Sequence, residues 1–255
     1  MRLSIVIPVF NERDTVLQVL ERVRQVPLPA TVELVVVDDG STDGTADVLA
    51  ELPPADDLQV ILAEENQGKG MAVRRGIERA TGDYIVFQDA DLELDPRDLA
   101  LLVAPVADGR AEVVFGSRFL GKPPLWSSLN YWANRVLTLL TNLLFGGRIT
   151  DMETCYKLFP AGLLKSYRLV SCRFEIEPEL TAKTLRLGHR IHEVPIHYFP
   201  RTVLEGKKMR WRDGVTAVRM LLGQRFAARS GLTAGAAPPA HESVASGSSE
   251  SSRNG

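Results

Sequence analysis

Short apolar runs alternate along the first half of the chain with segments whose apolar residues recur every three or four positions. Leu3-Ser4-Ile5-Val6-Ile7 is ended by Pro8 and followed by a helical pattern of Val16, Leu17, Leu20, Val23 and Val26. Glu33-Leu34-Val35-Val36-Val37 stops at Asp38-Asp39-Gly40, and Thr42 or Asp43 offers a cap for the next helix. A third run, Leu58 to Leu62, leads to a helix over 69–79, and a fourth, Asp83 to Phe87, opens into Gln88-Asp89-Ala90-Asp91. A helix from Pro96, a good first-turn residue, precedes a fifth strand from Glu112 to Phe115. Strands that alternate with helices in this way predict an α/β fold with a mainly parallel, doubly wound sheet flanked by helices. Ligands of such sheets bind beyond the carboxyl ends of the strands, where the acidic turns fall.

The second half is less regular. Residues 126–145 and 175–187 read as helices, 190–196 as a strand, and 212–226 as a helix with Val215, Val218, Leu221, Leu222 and Phe226 on one side. From 231 to 255 the composition turns to Gly, Ala, Pro and Ser, which predicts a disordered tail after a single domain over 1–230.

Composition changes this picture in one respect. The 255 residues are 45% hydrophobic and 24% charged, enough for a sizeable core, and the net charge is −2. That near-neutrality conceals a division: residues 1–100 carry a net −11 and residues 101–230 a net +10. Two partners of different chemistry are expected. Cys155 and Cys172 are too few for a disulfide framework or a four-sulfur zinc site. The opening MRLSIVIPVFNE does not read as a signal peptide, and the longest apolar candidate, 126–145, is interrupted by Asn130, Asn134, Arg135 and Asn142. A cytoplasmic protein is expected, with at most a peripheral contact at a membrane surface.

Four turns carry candidate chemistry. Asp89-Ala90-Asp91 closes an apolar strand, and two carboxylates two residues apart can converge on a hard cation such as Mg²⁺ or Mn²⁺ that also holds a diphosphate. Glu93 offers a further ligand. The same acids would also suit a plain solvated turn. Asp38-Asp39-Gly40-Ser41 can accept hydrogen bonds from a base or ribose, or serve only as a capped strand-to-helix turn. Pro8-Val9-Phe10-Asn11-Glu12 places Phe10 to pack near a base and Glu12 to bond a ribose or orient a neighbour. Asn66-Gln67-Gly68-Lys69-Gly70 can meet an anion through its N–H groups and Lys69, although it lacks the Walker spacing of a P-loop.

Taken together, SIVIPVFNE (4–12), DDGSTDGT (38–45), NQGKG (66–70) and QDADLELDP (88–96) resemble a family 2 glycosyltransferase, whose nucleotide-sugar-binding fold is called GT-A. GSR (116–118), DMETCYKLF (151–159), FEIEPEL (174–180) and VPIHYFPRTVLEGKKMRWRDG (194–214) narrow the likeness to polyprenyl-phosphate glycosyltransferases of the dolichyl-phosphate mannose synthase type. The resemblance implies a donor part over 1–100 and an acceptor part over 101–230. Pro8, Phe10 and Glu12 would contact the nucleotide, and Val36, Asp38 and the adjacent Asp39 would line the base and ribose. Asp89 and Asp91 would hold Mg²⁺ or Mn²⁺ on the diphosphate, with Ala90 contributing backbone. Arg118 would approach phosphate or sugar, and Arg201 and Lys207 would close over the donor and the acceptor phosphate. The implied donor is a nucleotide diphosphate sugar such as GDP-mannose or UDP-glucose, and the implied acceptor a dolichyl or undecaprenyl phosphate at the cytoplasmic face of a membrane.

Two expectations rest on charge chemistry. Arg201, Lys207, Lys208, Arg210 and Arg212 are opposed locally only by Glu205, which suits a phosphate clamp or a solvated basic surface. No segment resembles a nucleic-acid module, so no nucleic-acid partner is expected. Asp151 is a candidate general base if the acceptor is a hydroxyl, and an orienting group if the acceptor is already an anion. A nucleotide-sugar-binding protein without turnover is the alternative of another class. Glu175 and Glu177 read as helix-starting acids, and His189, His192 and His197 lack metal spacing.

Overall fold

The computed structural model describes residues 1–121, 129–201, 211–228 and 231–233. Seven strands, β1 (Arg2–Val9), β2 (Thr31–Asp38), β3 (Leu58–Leu62), β4 (Tyr84–Phe87), β5 (Val113–Ser117), β6 (Lys157–Pro160) and β7 (Ile191–Pro195), form one sheet in the order β3-β2-β1-β4-β6-β5-β7. Its helices are α1 (Val16–Arg24), α2 (Thr45–Ala50), α3 (Lys69–Arg79), α4 (Leu99–Ala107), α5 (Leu129–Phe145), α6 (Ala161–Ser166), α7 (Ile176–Arg186) and α8 (Trp211–Phe226). The expected α/β architecture is present, and its physical cause is the one read from the pattern. Ile5, Val6, Ile7, Leu34, Val35, Val36 and Val37 are all fully buried, which requires cover on both faces of the central strands.

One strand runs against the otherwise parallel set. β6 runs antiparallel between β4 and β5, pairing Ile85 with Phe159 and Val114 with Leu158. It is four residues long and begins with a lysine, too short and too polar at its start to stand out as a strand. Its reversal matters for function. Because β6 runs against its neighbours, the segment that precedes it, 151–156, arrives at the edge where the other strands end.

Packing tolerances are narrow where α3 crosses the sheet. A Cβ at Gly76 would lie 2.3 Å from Val6 Cγ1, so the helix rests directly on β1. A smaller apolar cluster, Leu137, Ile149, Met152, Ala182, Ala217 and Leu221, joins α5, α7 and α8. The opposite edge of the sheet is tied by a buried acid. Glu33 accepts hydrogen bonds from Ser4 Oγ, Thr81 N (2.5 Å), Thr81 Oγ1 (2.6 Å) and Arg2 Nη2 (2.6 Å). Burial alone would raise its pKa, but these bonds and the Arg2 charge hold it down at about 2.

Leu232 and Thr233, beyond residue 230, pack against the segment that follows α6. Leu232 is fully buried, its carbonyl accepts from Arg168 N at 3.0 Å, and Thr233 bridges Tyr167. An apolar side chain in an otherwise polar stretch finds a core position there. Residues 234–255 lie outside the described residues.

Candidate active site

The carboxyl ends of β1, β2 and β4 bring three of the four predicted turns together. Asp38, the last residue of β2, is fully buried. Its Oδ1 accepts from Ser41 N at 3.0 Å, while Oδ2 is enclosed and has no protein partner. An orphaned carboxylate oxygen at this edge is what a nucleotide hydroxyl or amide would satisfy. Phe10 is half-buried at the exit of β1. Pro8 is buried opposite Val37 in the sheet, and Val36 is fully buried opposite Ile7. Both lie in the core directly beneath this edge.

Asp39 has a different task from its neighbour. Its Oδ2 accepts from Gly68 N at 2.6 Å and its Oδ1 from Gln67 N at 3.1 Å, and burial raises its pKa despite these bonds. The N–H groups expected to meet an anion are thus committed to Asp39, which fastens the 66–70 turn. Gly68 has φ +101° and packs so closely on Cys172 that a Cβ would stand 2.4 Å from its carbonyl oxygen. Lys69 is likewise not a free anion ligand. Its ammonium lies 2.8 Å from Asp89 Oδ1 and 2.8 Å from Glu177 Oε1.

Asp89 and Asp91 flank Ala90, which is packed into the main core and spaces the two carboxylates. Leu92 takes φ 61°, a left-handed conformation that folds the loop so that Glu93 N donates to Asp91 Oδ1 at 3.0 Å. Burial, reinforced by the charges of Asp89 and Glu93, pushes Asp91 up to about 7. Hard oxygen donors that repel one another in this way fit a divalent cation, and two carboxylates suffice when substrate phosphates and water complete the shell. Glu93, expected as a further ligand, is engaged by its neighbours. Tyr198 OH donates to its Oε2 at 3.0 Å and Arg201 N to its Oε1 at 2.8 Å. No group of three or more His, Cys, Asp or Glu side chains among the described residues is arranged for a metal.

Glu93 instead binds the segment that leaves β7. Phe199 N donates to the Glu93 carbonyl at 2.8 Å, and His197 Nδ1 lies 2.9 Å from Asp98 Oδ1. The clasp delivers Arg201, whose Nη1 donates to Glu12 Oε1 and Oε2 at 3.1 and 2.9 Å. Glu12 is nearly buried and also accepts from Thr15 Oγ1 at 2.8 Å. Lys207, Lys208 and Arg210 lie outside the described residues, as does the side chain of Arg212.

On the far side, Arg118 follows β5 and meets Asp151, brought to this edge by the reversal of β6. Arg118 Nε donates to Asp151 Oδ2 at 2.7 Å and Nη2 to Oδ1 at 2.8 Å. Asp151 is fully buried, and its neighbourhood raises the Arg118 pKa despite burial. The Arg118 guanidinium also lies 5.1 Å from the Tyr198 ring centre. Both carboxylate oxygens of Asp151 are thereby engaged by Arg118. Tyr198, Asp98 and Glu193, whose carboxylate accepts from Thr150 N and Asp151 N, were not singled out in the sequence. In sequence, Tyr198 lies inside VPIHYFPR, Glu193 directly precedes it and Asp98 follows QDADLELDP, with no local pattern that marks these contacts.

The chain is 30% identical over 227 residues to the low-salt glycan biosynthesis hexosyltransferase Agl6 of Haloferax volcanii, covering 86% of this chain and 53% of that protein. It is 29% identical over 212 residues to the dodecaprenyl-phosphate galacturonate synthase of Rhizobium johnstonii, covering 79% of this chain and 60% of the relative. The chain thus spans little more than half the length of these relatives. Glucosyl-3-phosphoglycerate synthase from Mycobacterium tuberculosis, solved with Mn²⁺, uridine diphosphate and phosphoglyceric acid, shares the fold with a TM-score of 0.67 at 24% identity, over 90% of this chain and 80% of that one. The same enzyme has been solved with Mg²⁺ and uridine diphosphate. The profile of the family described as "Glycosyl transferase family 2" matches residues 4–168, from the first strand through the Asp89 and Asp151 turns, and the chain belongs to that family.

Proposed function

We propose that this glycosyltransferase moves a hexose from a nucleotide diphosphate sugar to a polyprenyl phosphate at the cytoplasmic surface of a membrane. The observation that carries the choice of acceptor is the state of Asp151. A hydroxyl acceptor needs a base to remove its proton, whereas a phosphate is already an anion. The acceptor-side carboxylate is buried and held in a two-pronged ion pair, so its job is to present Arg118, a group suited to phosphate.

Asp89 and Asp91 would hold Mg²⁺ or Mn²⁺, which when bound neutralises the diphosphate as it leaves. Asp38 receives the nucleoside through its unpartnered Oδ2. Arg201, resting on Glu12, is within the same edge and supplies positive charge to the donor phosphates. Arg118 orients the acceptor oxygen for direct attack on the anomeric carbon, with inversion there. Positioning and charge stabilisation supply most of the rate. Membrane contact is supported by α5, where Trp132, Val136, Leu139 and Leu143 share one face and are each more than half exposed. No helix among the described residues is long and apolar enough to cross a membrane.

A donor panel of GDP-mannose and UDP-glucose, crossed with polyprenyl phosphate and soluble hydroxyl acceptors, tests the reading. Product is expected on the lipid phosphate; product on hydroxyl acceptors alone would reject it.

A further inference from the structure

Leu232 reaches a part of the fold that no step above uses. It is fully buried, and its carbonyl accepts from Arg168 N at 3.0 Å and from Lys183 Nζ at 3.3 Å. Lys183 and Glu179, one turn apart on α7, form an ion pair at 3.3 Å with side chains 1% and 0% exposed. A charge pair so far from water holds only when its remaining donors and acceptors are met. Lys183 also donates to the Arg168 carbonyl, while Glu179 accepts from Val170 N at 3.0 Å and Ser171 N at 2.8 Å. The Leu232 carbonyl thus completes the acceptor set of a buried ammonium.

From this pair the contacts lead to the donor side of the site. Val170 and Ser171, held by Glu179, are followed by Cys172, whose carbonyl accepts from Met71 N at 3.1 Å in the first turn of α3. There is no spare room at this contact. A Cβ at Gly68 would stand 2.4 Å from the Cys172 carbonyl oxygen, and one at Gly70 would stand 2.7 Å from that of Ser171. The far end of α3 is held by the same stretch of chain, since Lys165 Nζ donates to the Ala80 carbonyl at 2.6 Å. Residues 165–172 therefore grip α3 at both ends. The amides just before and at its start, Gln67 and Gly68, are the ones that Asp39 accepts. Every link from Leu232 to Asp39 is a buried ion pair, a hydrogen bond to main chain or a close-packed contact, so little slack exists to absorb a shift at one end.

We propose that residues 231–233 are a positioning strap for the donor site. Docked, they complete the Lys183–Glu179 pair and hold 170–172 against the 66–70 turn; undocked, they let that turn open and donor affinity fall. The consequence for affinity rests on the nucleotide-sugar reading above. Strap docking and donor binding then favour one another, because linkage between two sites is reciprocal.

Amide hydrogen exchange of the full chain without ligand, beside calorimetric titration with UDP and GDP in Mn²⁺, tests both halves. In Leu232→Ser the Gln67 and Gly68 amides are expected to exchange about tenfold faster. The Glu93 and Arg118 amides, which bond carboxylates elsewhere in the site, should keep their wild-type rates. Whichever nucleotide binds wild type should bind Leu232→Ser about fivefold more weakly, and Leu232→Met should restore both properties. Leu232→Ala, a milder loss of the same anchor, carries the test should the serine variant not fold. Wild-type exchange at residues 67 and 68 in the undocked variants would overturn the proposal. So would equal acceleration at Glu93 and Arg118, the mark of a general loosening, or faster turn exchange with unchanged nucleotide affinity. Faster turn exchange in a protein whose wild type binds neither UDP nor GDP would uphold the strap and overturn the nucleotide-sugar reading instead.

Discussion

Arg118 and Asp151 are 33 residues apart in sequence and joined by two parallel hydrogen bonds, 2.7 and 2.8 Å, with the carboxylate fully buried. Such a pair is a positioning device. Its partners are costly to separate because each would leave an unbalanced charge out of water. Asp151→Asn is expected to lower unfolding free energy by about 3 kcal/mol and to slow transfer by misplacing Arg118. Denaturant unfolding beside steady-state kinetics separates the outcomes. Native stability combined with complete loss of transfer would restore the role of Asp151 as a base.

Asp91 should show the opposite trade. It is held among Asp89 and Glu93 in a buried loop, so its charge works against the metal-free fold. Asp91→Asn is expected to raise the melting temperature of the metal-free protein by a few degrees while abolishing Mn²⁺-dependent donor binding. Calorimetry with and without Mn²⁺ checks both halves. Full donor binding by the variant in metal-free buffer would remove the metal from the scheme.

Glu33 predicts how acid acts on the fold. Its pKa is held at about 2 in the folded chain against an ordinary 4.5. A lowered folded pKa stabilises above the unfolded value and is lost as pH falls from about 4.5 through 2, here about 3 kcal/mol in all. Glu33→Gln should be less stable at neutral pH and should flatten this acid limb. An unchanged limb in urea titrations from pH 5 to about 2 would show that other carboxylates dominate it.

Gly68 tests whether the 66–70 turn is a packed part of the site. Gly68→Ala adds a Cβ at φ +101° and 2.4 Å from the Cys172 carbonyl oxygen. A loss of about 3 kcal/mol is expected, with amide exchange faster at Gln67 and residue 68 as Asp39 loses its donors. Wild-type stability would mean that the turn moves aside freely.

The exposed face of α5 gives a prediction that leaves the fold alone. Leu139→Ser with Leu143→Ser should change stability by less than about 0.5 kcal/mol per site, since both side chains are more than half exposed. Flotation with anionic vesicles should fall severalfold. Undiminished flotation would place membrane contact elsewhere.

Much of the fold was legible because it rests on local pattern. The buried strands before Pro8, Asp38 and Gln88 were visible as apolar runs, and their acidic turns fell at the predicted edge. β6 was not, since four residues led by Lys157 gain their strand identity from the neighbours they pair with. In the site, Asp38 closes β2, Asp89 and Asp91 follow β4, and Arg201 meets Glu12 beyond β1. Asp39, Lys69 and Glu93 bond to groups far away in sequence, which a local reading does not reach.

By itself the sequence determined the α/β class, the family and the edge of the sheet where chemistry gathers, because apolar periodicity and turn residues act over a few positions. Only the tertiary structure decided which charged groups are spent on one another. Arg201 meets Glu12 across 189 residues, Tyr198 meets Glu93 across 105, and Lys69 bridges two acids from different elements. The strength of such pairs depends on burial and on contacts formed only when distant segments pack. That is why Asp151, which reads locally as a candidate base, is found paired with Arg118.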